Sequence, residues 1–162
     1  MYMKISIIIA VYKDYESLKV VLESLYSQSY KEFEVIIAED CEENKMKELL
    51  GLWKEKIKIK HVFQEDKGFR KNKALNNALK IAKGDLLIFV DGDCILHHKF
   101  IEEYKKAYNE GDCFIGRRQE LGINFTKKII ELRKVKFSIF NIVFSDSNRK
   151  EFRESIYLLG LK

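Results

Sequence analysis

The chain opens on an almost unbroken apolar run, Ile5–Val11, with Ser6 as its one polar residue. A run of this kind predicts a strand buried on both faces of a parallel sheet. Leu18, Val21, Leu22 and Leu25 then recur at helical spacing. Residues 33–38 predict a second strand, and residues 43–53 a second helix with Met46, Leu49, Leu50 and Trp53 on one side. Ile57, Ile59 and His61 alternate as a short third strand. Ala74, Leu75, Ala78, Leu79 and Ala82 mark a third helix, with Gly84 expected as its C-cap. Residues 86–90 predict a fourth strand, again a solid apolar run and again expected to be buried.

Strands that alternate with helices at this spacing imply right-handed crossovers, hence an α/β fold of Rossmann-like type: a mostly parallel sheet with helices on both faces. Ligands of such sheets bind beyond the carboxyl ends of the strands. The polar tips there are Tyr12-Lys13-Asp14, Glu39-Asp40, residues 64–70 and Asp91-Gly92-Asp93. No G-x-G-x-x-G follows the first strand and no G-x-x-x-x-G-K-[ST] occurs, which disfavours a dinucleotide fold and a P-loop.

Composition narrows the partners. The 162 residues are 46% hydrophobic and 34% charged, enough for one core and too polar for a membrane-embedded chain. No apolar run reaches the roughly 20 residues that span a bilayer. Cys41, Cys94 and Cys113 are widely spaced with no C-x-x-C pair, so reduced thiols in a cytoplasmic protein are expected. The net charge of +5 suits anionic partners, nucleotide diphosphates and anionic lipid head groups among them. Basic and acidic residues interleave along most of the length, so no nucleic-acid partner is expected.

The chemistry concentrates at the strand tips. Most D-x-D triplets are a turn residue followed by a helix N-cap. Asp91 and Asp93 instead close a predicted buried strand, where this fold places its ligands, and the glycine between them lets the chain turn and a ligand approach. Two carboxylates converging there suit a hard divalent ion, Mg²⁺ or Mn²⁺, that shares its shell with substrate phosphates. Asp40 ends the second strand and can accept from a nucleobase or a ribose hydroxyl, or simply start the next helix; Glu39 can join it or face away. Arg70, Lys71 and Lys73 open the third helix and could hold an anionic diphosphate, although helical spacing leaves at least one of them on a solvated face. His97 and His98 follow the acid pair as metal ligands, as donors to a phosphate, or as a first helical turn, and His61 reads as structural.

In order and spacing these pieces resemble the family-2 glycosyltransferases, with their GT-A type nucleotide-sugar-binding domain. The resemblance runs from Ile5 to about Arg118. It is carried by residues 6–13, Gln28-Ser29-Tyr30 before residues 33–37, Glu39-Asp40, Gly68-Phe69-Arg70 through Asn76, and Ala82-Lys83-Gly84-Asp85 before residues 89–94. It implies that Ala10 and Tyr12 line a nucleotide pocket, that Asp40 contacts the base, and that Asp91 and Asp93 act with Mn²⁺ or Mg²⁺ on the diphosphate. Donor binding then falls to Ala10, Tyr12, Asp40, Arg70, Lys73, Asp91 and Gly92, and metal binding to Asp91 and Asp93. The implied activity is transfer of a sugar, from a UDP-sugar in most of the family, to a saccharide or lipid-linked acceptor with inversion, as in cell-envelope polysaccharide synthesis.

Two departures from the family pattern stand out. Leu75 stands where many members carry an arginine, so the phosphate contact that the resemblance implies is either missing or moved to Lys73. The Glu-Asp pair that supplies the family's catalytic base is not found among the acids after Asp93, so the general base is unassigned and the chain reads as a donor half cut short before its acceptor part. A non-catalytic nucleotide-sugar-binding or assembly module is therefore the alternative. A phosphohydrolase of the haloacid-dehalogenase type is disfavoured, because Cys94-Ile95 breaks its loop motif. The expected division is a nucleotide-sugar-binding core over 1–118 and a basic amphipathic helical extension over 119–162 that leads toward the missing acceptor part. Within the extension, residues 125–144 interleave Lys and Arg with Phe, Ile and Leu, which suits packing on an absent half, self-association, or peripheral contact at the inner face of a membrane.

Overall fold

The computed structural model describes residues 3–116 and 118–132. Four strands, β1 (Ile5–Val11), β2 (Glu34–Glu39), β3 (Ile59–Phe63) and β4 (Leu86–Asp91), form one parallel sheet in the order β3-β2-β1-β4. Five helices accompany them among the described residues: α1 (Tyr15–Tyr26), α2 (Asn44–Gly51), α3 (Lys71–Leu79), α4 (Phe100–Ala107) and α5 (Ile123–Leu132).

β1 reads as a solid apolar run because it lies inside the sheet with both faces covered. Ile5, Ile7, Ile9 and Val11 pack with Leu18, Val21, Leu22 and Leu25 of α1 and with Met46, Leu49, Leu50 and Trp53 in and after α2. On the opposite face Ile8, Ile36 and Ala38 meet Ala74 and Ala78 of α3. Small residues at these two α3 positions let the helix lie close to the strands. Helices thus cover both faces, as the alternation predicts.

Two expectations need correction. β4 borders the described sheet and is not buried throughout: Leu86, Ile88 and Val90 are buried, whereas Leu87 and Phe89 are 39% and 51% exposed. The physical reason is that α3 packs against β1, β2 and β3 and leaves its face of β4 uncovered. Gly84 is not a C-cap either. α3 ends at Leu79 with Lys80 in right-handed geometry, and among the described residues positive φ occurs only at Lys13 and Gly68. Gly84 is needed for space: a Cβ there would lie 2.4 Å from the Ser6 nitrogen and 2.8 Å from the Leu86 carbonyl oxygen.

α5 packs against α1 of the same chain, with Ile129 buried. That covers only the first part of the amphipathic stretch 125–144, whose remainder lies outside the described residues. No helix among the described residues is long and apolar enough to cross a membrane.

Candidate functional site

The register of the sheet places Ala38, Ala10 and Asp91 side by side across β2, β1 and β4. The two alanines leave a shallow floor at the carboxyl edge, and above it opens a cleft of about 290 Å³. Val11, Tyr12 and Asp14 line it from the end of β1, Asp40 from β2, Phe69 and Lys71 from the approach to α3, and Gly92 and Asp93 from the turn after β4. Its size is at the lower end for small-molecule sites, roughly 300–1,000 Å³.

The acid pair hangs on β4 by a tight turn in which the Cys94 N–H donates to the Asp91 carbonyl at 3.1 Å. The Gly92 N–H donates to the Ala10 carbonyl at 3.0 Å, and a Cβ on Gly92 would come within 2.9 Å of Val11 Cγ2. Glycine is required by that approach to β1 rather than by a left-handed turn. Ligand atoms of Asp91, Asp93 and Cys94 all lie within 4.8 Å of one another. Burial, together with the charges of Asp93 and Asp91, pushes the Cys94 thiol pKa up, so it keeps its proton and donates to Asp93 Oδ1 at 3.6 Å. The set therefore offers two hard carboxylates with a protonated thiol steadying one of them. That chemistry fits Mg²⁺ or Mn²⁺ and does not suit a soft ion.

The segment after this turn is held by Ser24 of α1 and by Gln28 and Ser29 just beyond it. Gln28, 1% exposed, donates through Nε2 to the carbonyls of Ser24 and His97 and accepts the Ile101 N–H at 3.2 Å. Ser24 Oγ accepts the Leu96 N–H at 3.2 Å, and the Ser29 N–H donates to the His98 carbonyl at 2.8 Å. His97 and His98 thus serve the site through their backbone, their rings resting on each other with centroids 4.3 Å apart. Neither joins the acid cluster.

Asp40 is 3% exposed, and both of its oxygens accept protein donors: Oδ1 the Gln64 amide and Oδ2 the Arg70 N–H at 2.6 Å. It pins the loop 64–70 to the sheet while lining the cleft. A second pin is the Lys13–Asp66 ion pair at 2.8 Å, with the Tyr12 hydroxyl donating to the same carboxylate at 3.4 Å. Lys13 makes it from left-handed backbone at φ 55°, a conformation that costs a non-glycine residue about 1–2 kcal/mol. Gly68 takes φ 77° in the same loop, where glycine has no such cost, and Phe69 stands 88% exposed beside the cleft. Glu39 turns away from Asp40: it is buried, with its carboxylate 2.8 Å from His61 Nε2.

The basic cluster divides three ways. Arg70 contributes its backbone N–H to Asp40, and its guanidinium donates to the Glu65 carbonyl away from the cleft lining. Lys73 is exposed and does not line the cleft. The ammonium aimed into the cleft belongs to Lys71, which pairs with Asp91. From the sequence, Lys71 is only one of three cations that could hold a diphosphate, and Phe69 and Asp14 carry no donor-binding expectation. The charge cluster was legible there, but which of its members enters the cleft depends on the rotation at which α3 starts.

Comparison with known proteins places this site in context. The chain matches the model of glycosyl transferase family 2 over residues 6–156. Validoxylamine A glucosyltransferase of Streptomyces hygroscopicus subsp. jinggangensis is 26% identical over 106 residues, covering 64% of this chain and 25% of that protein. The crystal structure of Staphylococcus aureus TarS superposes with a TM-score of 0.62 at 26% identity, over 74% of this chain and 24% of that one. A TarS fragment in complex with UDP-GlcNAc gives a TM-score of 0.59 at 25% identity, over 74% of this chain and 38% of that one. The chain thus spans about a quarter of the length of the curated relative and well under half of either solved structure. With the family match extending over most of its length, the parallel sheet and its carboxyl-edge cleft identify the chain as a member of glycosyl transferase family 2.

Proposed function

We propose that the cleft holds the diphosphate of a nucleotide-sugar, most simply a UDP-sugar, through a divalent ion on Asp91 and Asp93, and that the chain is the donor-binding part of a glycosyltransferase. The observation that carries this reading is the meeting of two acids and one ammonium over the small-residue floor formed by Ala10 and Ala38. The TarS fragment, which binds UDP-GlcNAc in its crystal structure, supports a UDP-sugar as donor.

In this assignment Asp91 and Asp93 would carry Mn²⁺ or Mg²⁺, which when bound stabilises negative charge on the departing diphosphate. Tyr12 and the pinned loop border the nucleoside, and the spare lone pairs of Asp40 can accept from base or ribose. Lys71 supplies a positive charge near the phosphates. Transfer proceeds with inversion, by in-line attack of an acceptor hydroxyl on the anomeric carbon, its proton passing to a carboxylate base outside the cleft acids named above, and departure of the nucleotide diphosphate. The acceptor is a saccharide or a lipid-linked saccharide.

A second reading, a donor-binding module without turnover of its own, draws on the disposition of the cleft acids. Asp14 caps α1 by accepting the Ser17 N–H at 3.1 Å, Asp40 anchors Gln64 and Arg70 and borders the nucleoside, and Asp91 and Asp93 are assigned to the metal, so no cleft acid is left to act as a base. Titration calorimetry with UDP, with and without Mn²⁺, tests the shared core of both readings. Metal-dependent binding is expected, weakened at least tenfold in Asp93→Ala; its absence in folded protein overturns the proposal. Sustained UDP release from UDP-GlcNAc above the Asp93→Ala background separates the enzyme from the module.

A further inference from the structure

Lys71 occupies an unusual place. It is the first residue of α3, and the peptide N–H just before it, that of Arg70, is fixed to Asp40 at the β2 end of the cleft. Its side chain reaches across to β4, on the far side of β1, and puts the ammonium on Asp91 Oδ1. Lys71 is the only cationic side chain lining the cleft among the described residues, and it touches one of the two carboxylates assigned to the metal. The pair is about two-fifths exposed at each end, so solvent and ions reach it.

We infer that Lys71 is a resident counter-ion that couples metal binding to donor binding. This rests on the donor-site reading above. In the ligand-free chain the ammonium neutralises Asp91, and a divalent ion arriving alone must displace it. A positive ammonium and a doubly positive ion repel strongly at contact distance, so they do not share one carboxylate oxygen. Displaced without a new partner, the ammonium loses its ion pair. A nucleoside diphosphate supplies the partner: Lys71 leaves Asp91 for a phosphate oxygen, and Asp91 becomes free for the ion. Metal and nucleotide therefore favour each other beyond the direct metal–phosphate contact, and the coupling is reciprocal by linkage. The alanine floor gives the side chain room to move between the two positions without displacing a bulky neighbour.

The test uses the full 162-residue chain and its Lys71→Met variant, with Mn²⁺ binding followed by electron paramagnetic resonance and UDP binding by calorimetry. Methionine matches the four-atom apolar stem of the side chain and removes the ammonium. Lys71→Met is expected to bind Mn²⁺ alone about tenfold more tightly than the wild type. UDP in saturating Mn²⁺ is expected to bind about tenfold more weakly, and the factor by which each ligand improves the other should fall from within the usual 5–150-fold range toward its lower end. Lys80→Met removes the same charge from the exposed far end of α3 and controls for general electrostatics. Unchanged or weaker Mn²⁺ binding by Lys71→Met overturns the counter-ion role, as does an equal gain in Lys80→Met. If the wild type binds both ligands and only these differences fail, the donor-site reading survives. If folded wild type binds neither, that reading falls and the role of Lys71 falls with it.

Discussion

The two ends of the sheet use the same chemistry, an acid beside a lysine, to opposite purposes. At the amino end, Glu34 is buried at the start of β2. Its carboxylate accepts the Ser6 hydroxyl at 2.8 Å, the Lys83 N–H at 2.9 Å and the Lys60 ammonium at 2.8 Å. Ser6 Oγ also accepts the Gly84 N–H at 2.8 Å, and Lys60 also donates to the Ile81 carbonyl at 3.0 Å. This network is closed within the protein, around a buried carboxylate. At the carboxyl end, Asp91 has one ammonium, Asp93 has a weak thiol donor, and both open onto the cleft. A buried acid with all its partners supplied by the protein stabilises the fold, whereas an exposed acid with spare lone pairs is available to a ligand. Which partners each lysine and carboxylate finds, rather than residue type, separates the structural end from the binding end.

The sharpest way to break the closed end is steric. Gly84→Ala places a methyl 2.4 Å from the Ser6 nitrogen and 2.7 Å from Ser6 Oγ, against backbone that cannot yield without disturbing the start of β1. A loss of about 3 kcal/mol or more in urea unfolding is expected. Gly51→Ala serves as the internal comparison. It ends α2 with nothing within 4 Å of the added methyl and should be neutral or stabilising by up to about 1 kcal/mol. Equal effects at the two glycines would remove close packing as the reason for Gly84.

Next in size is the charge at the same place. Glu34→Gln keeps the shape and removes the anion facing Lys60, with an expected cost of about 2 kcal/mol, reduced because Lys60 remains 28% exposed. The change should also alter the acid limb. Burial alone would raise the Glu34 carboxyl, but Lys60, Ser6 and the Lys83 N–H outweigh it and hold the pKa below its ordinary 4.5. A carboxyl lowered on folding adds stability that is full above the unfolded value and disappears as pH falls through the folded one. The gap between wild type and Glu34→Gln should therefore shrink as pH falls through 4.5 and on through the lower folded value. A gap constant across that window would show that the Glu34 charge contributes nothing.

The closed end was also the less legible of the two. Ser6, Glu34, Lys60 and Lys83 are scattered through the sequence, and no spacing rule joins positions 28 and 49 residues apart. The same holds for Gln28, whose tether to the His97 carbonyl spans 69 residues. By contrast the interior of β1 and the buried positions of α1 and α2 were visible, because periodicity along one element reports which of its faces is covered. It failed at β4, where apolar Leu87 and Phe89 are exposed: a hydrophobic residue marks a surface that can be covered, not the helix that must cover it. The strand-end rule located Asp40, Asp91 and Asp93 in one cleft from order alone. It could not choose Lys71 over Lys73, since that depends on where the first turn of α3 begins.

The smallest expected effect tests the other half of the comparison. If the carboxyl end is built for a ligand, removing a charge there should cost the empty fold almost nothing. Asp93 is exposed, and its ligand atom lies within 4.8 Å of that of Asp91, a like charge whose one cationic partner in the cleft is Lys71. Asp93→Asn relieves this repulsion and keeps an Oδ1 that can still accept from the Cys94 thiol. Its ligand-free stability should stay within about 0.5 kcal/mol of the wild type, with any change upward. Thermal melts without metal or nucleotide would check this. A loss of more than about 1 kcal/mol would mean that the acid pair holds the turn after β4 together, and the distinction between a structural end and a binding end would fail where it matters most.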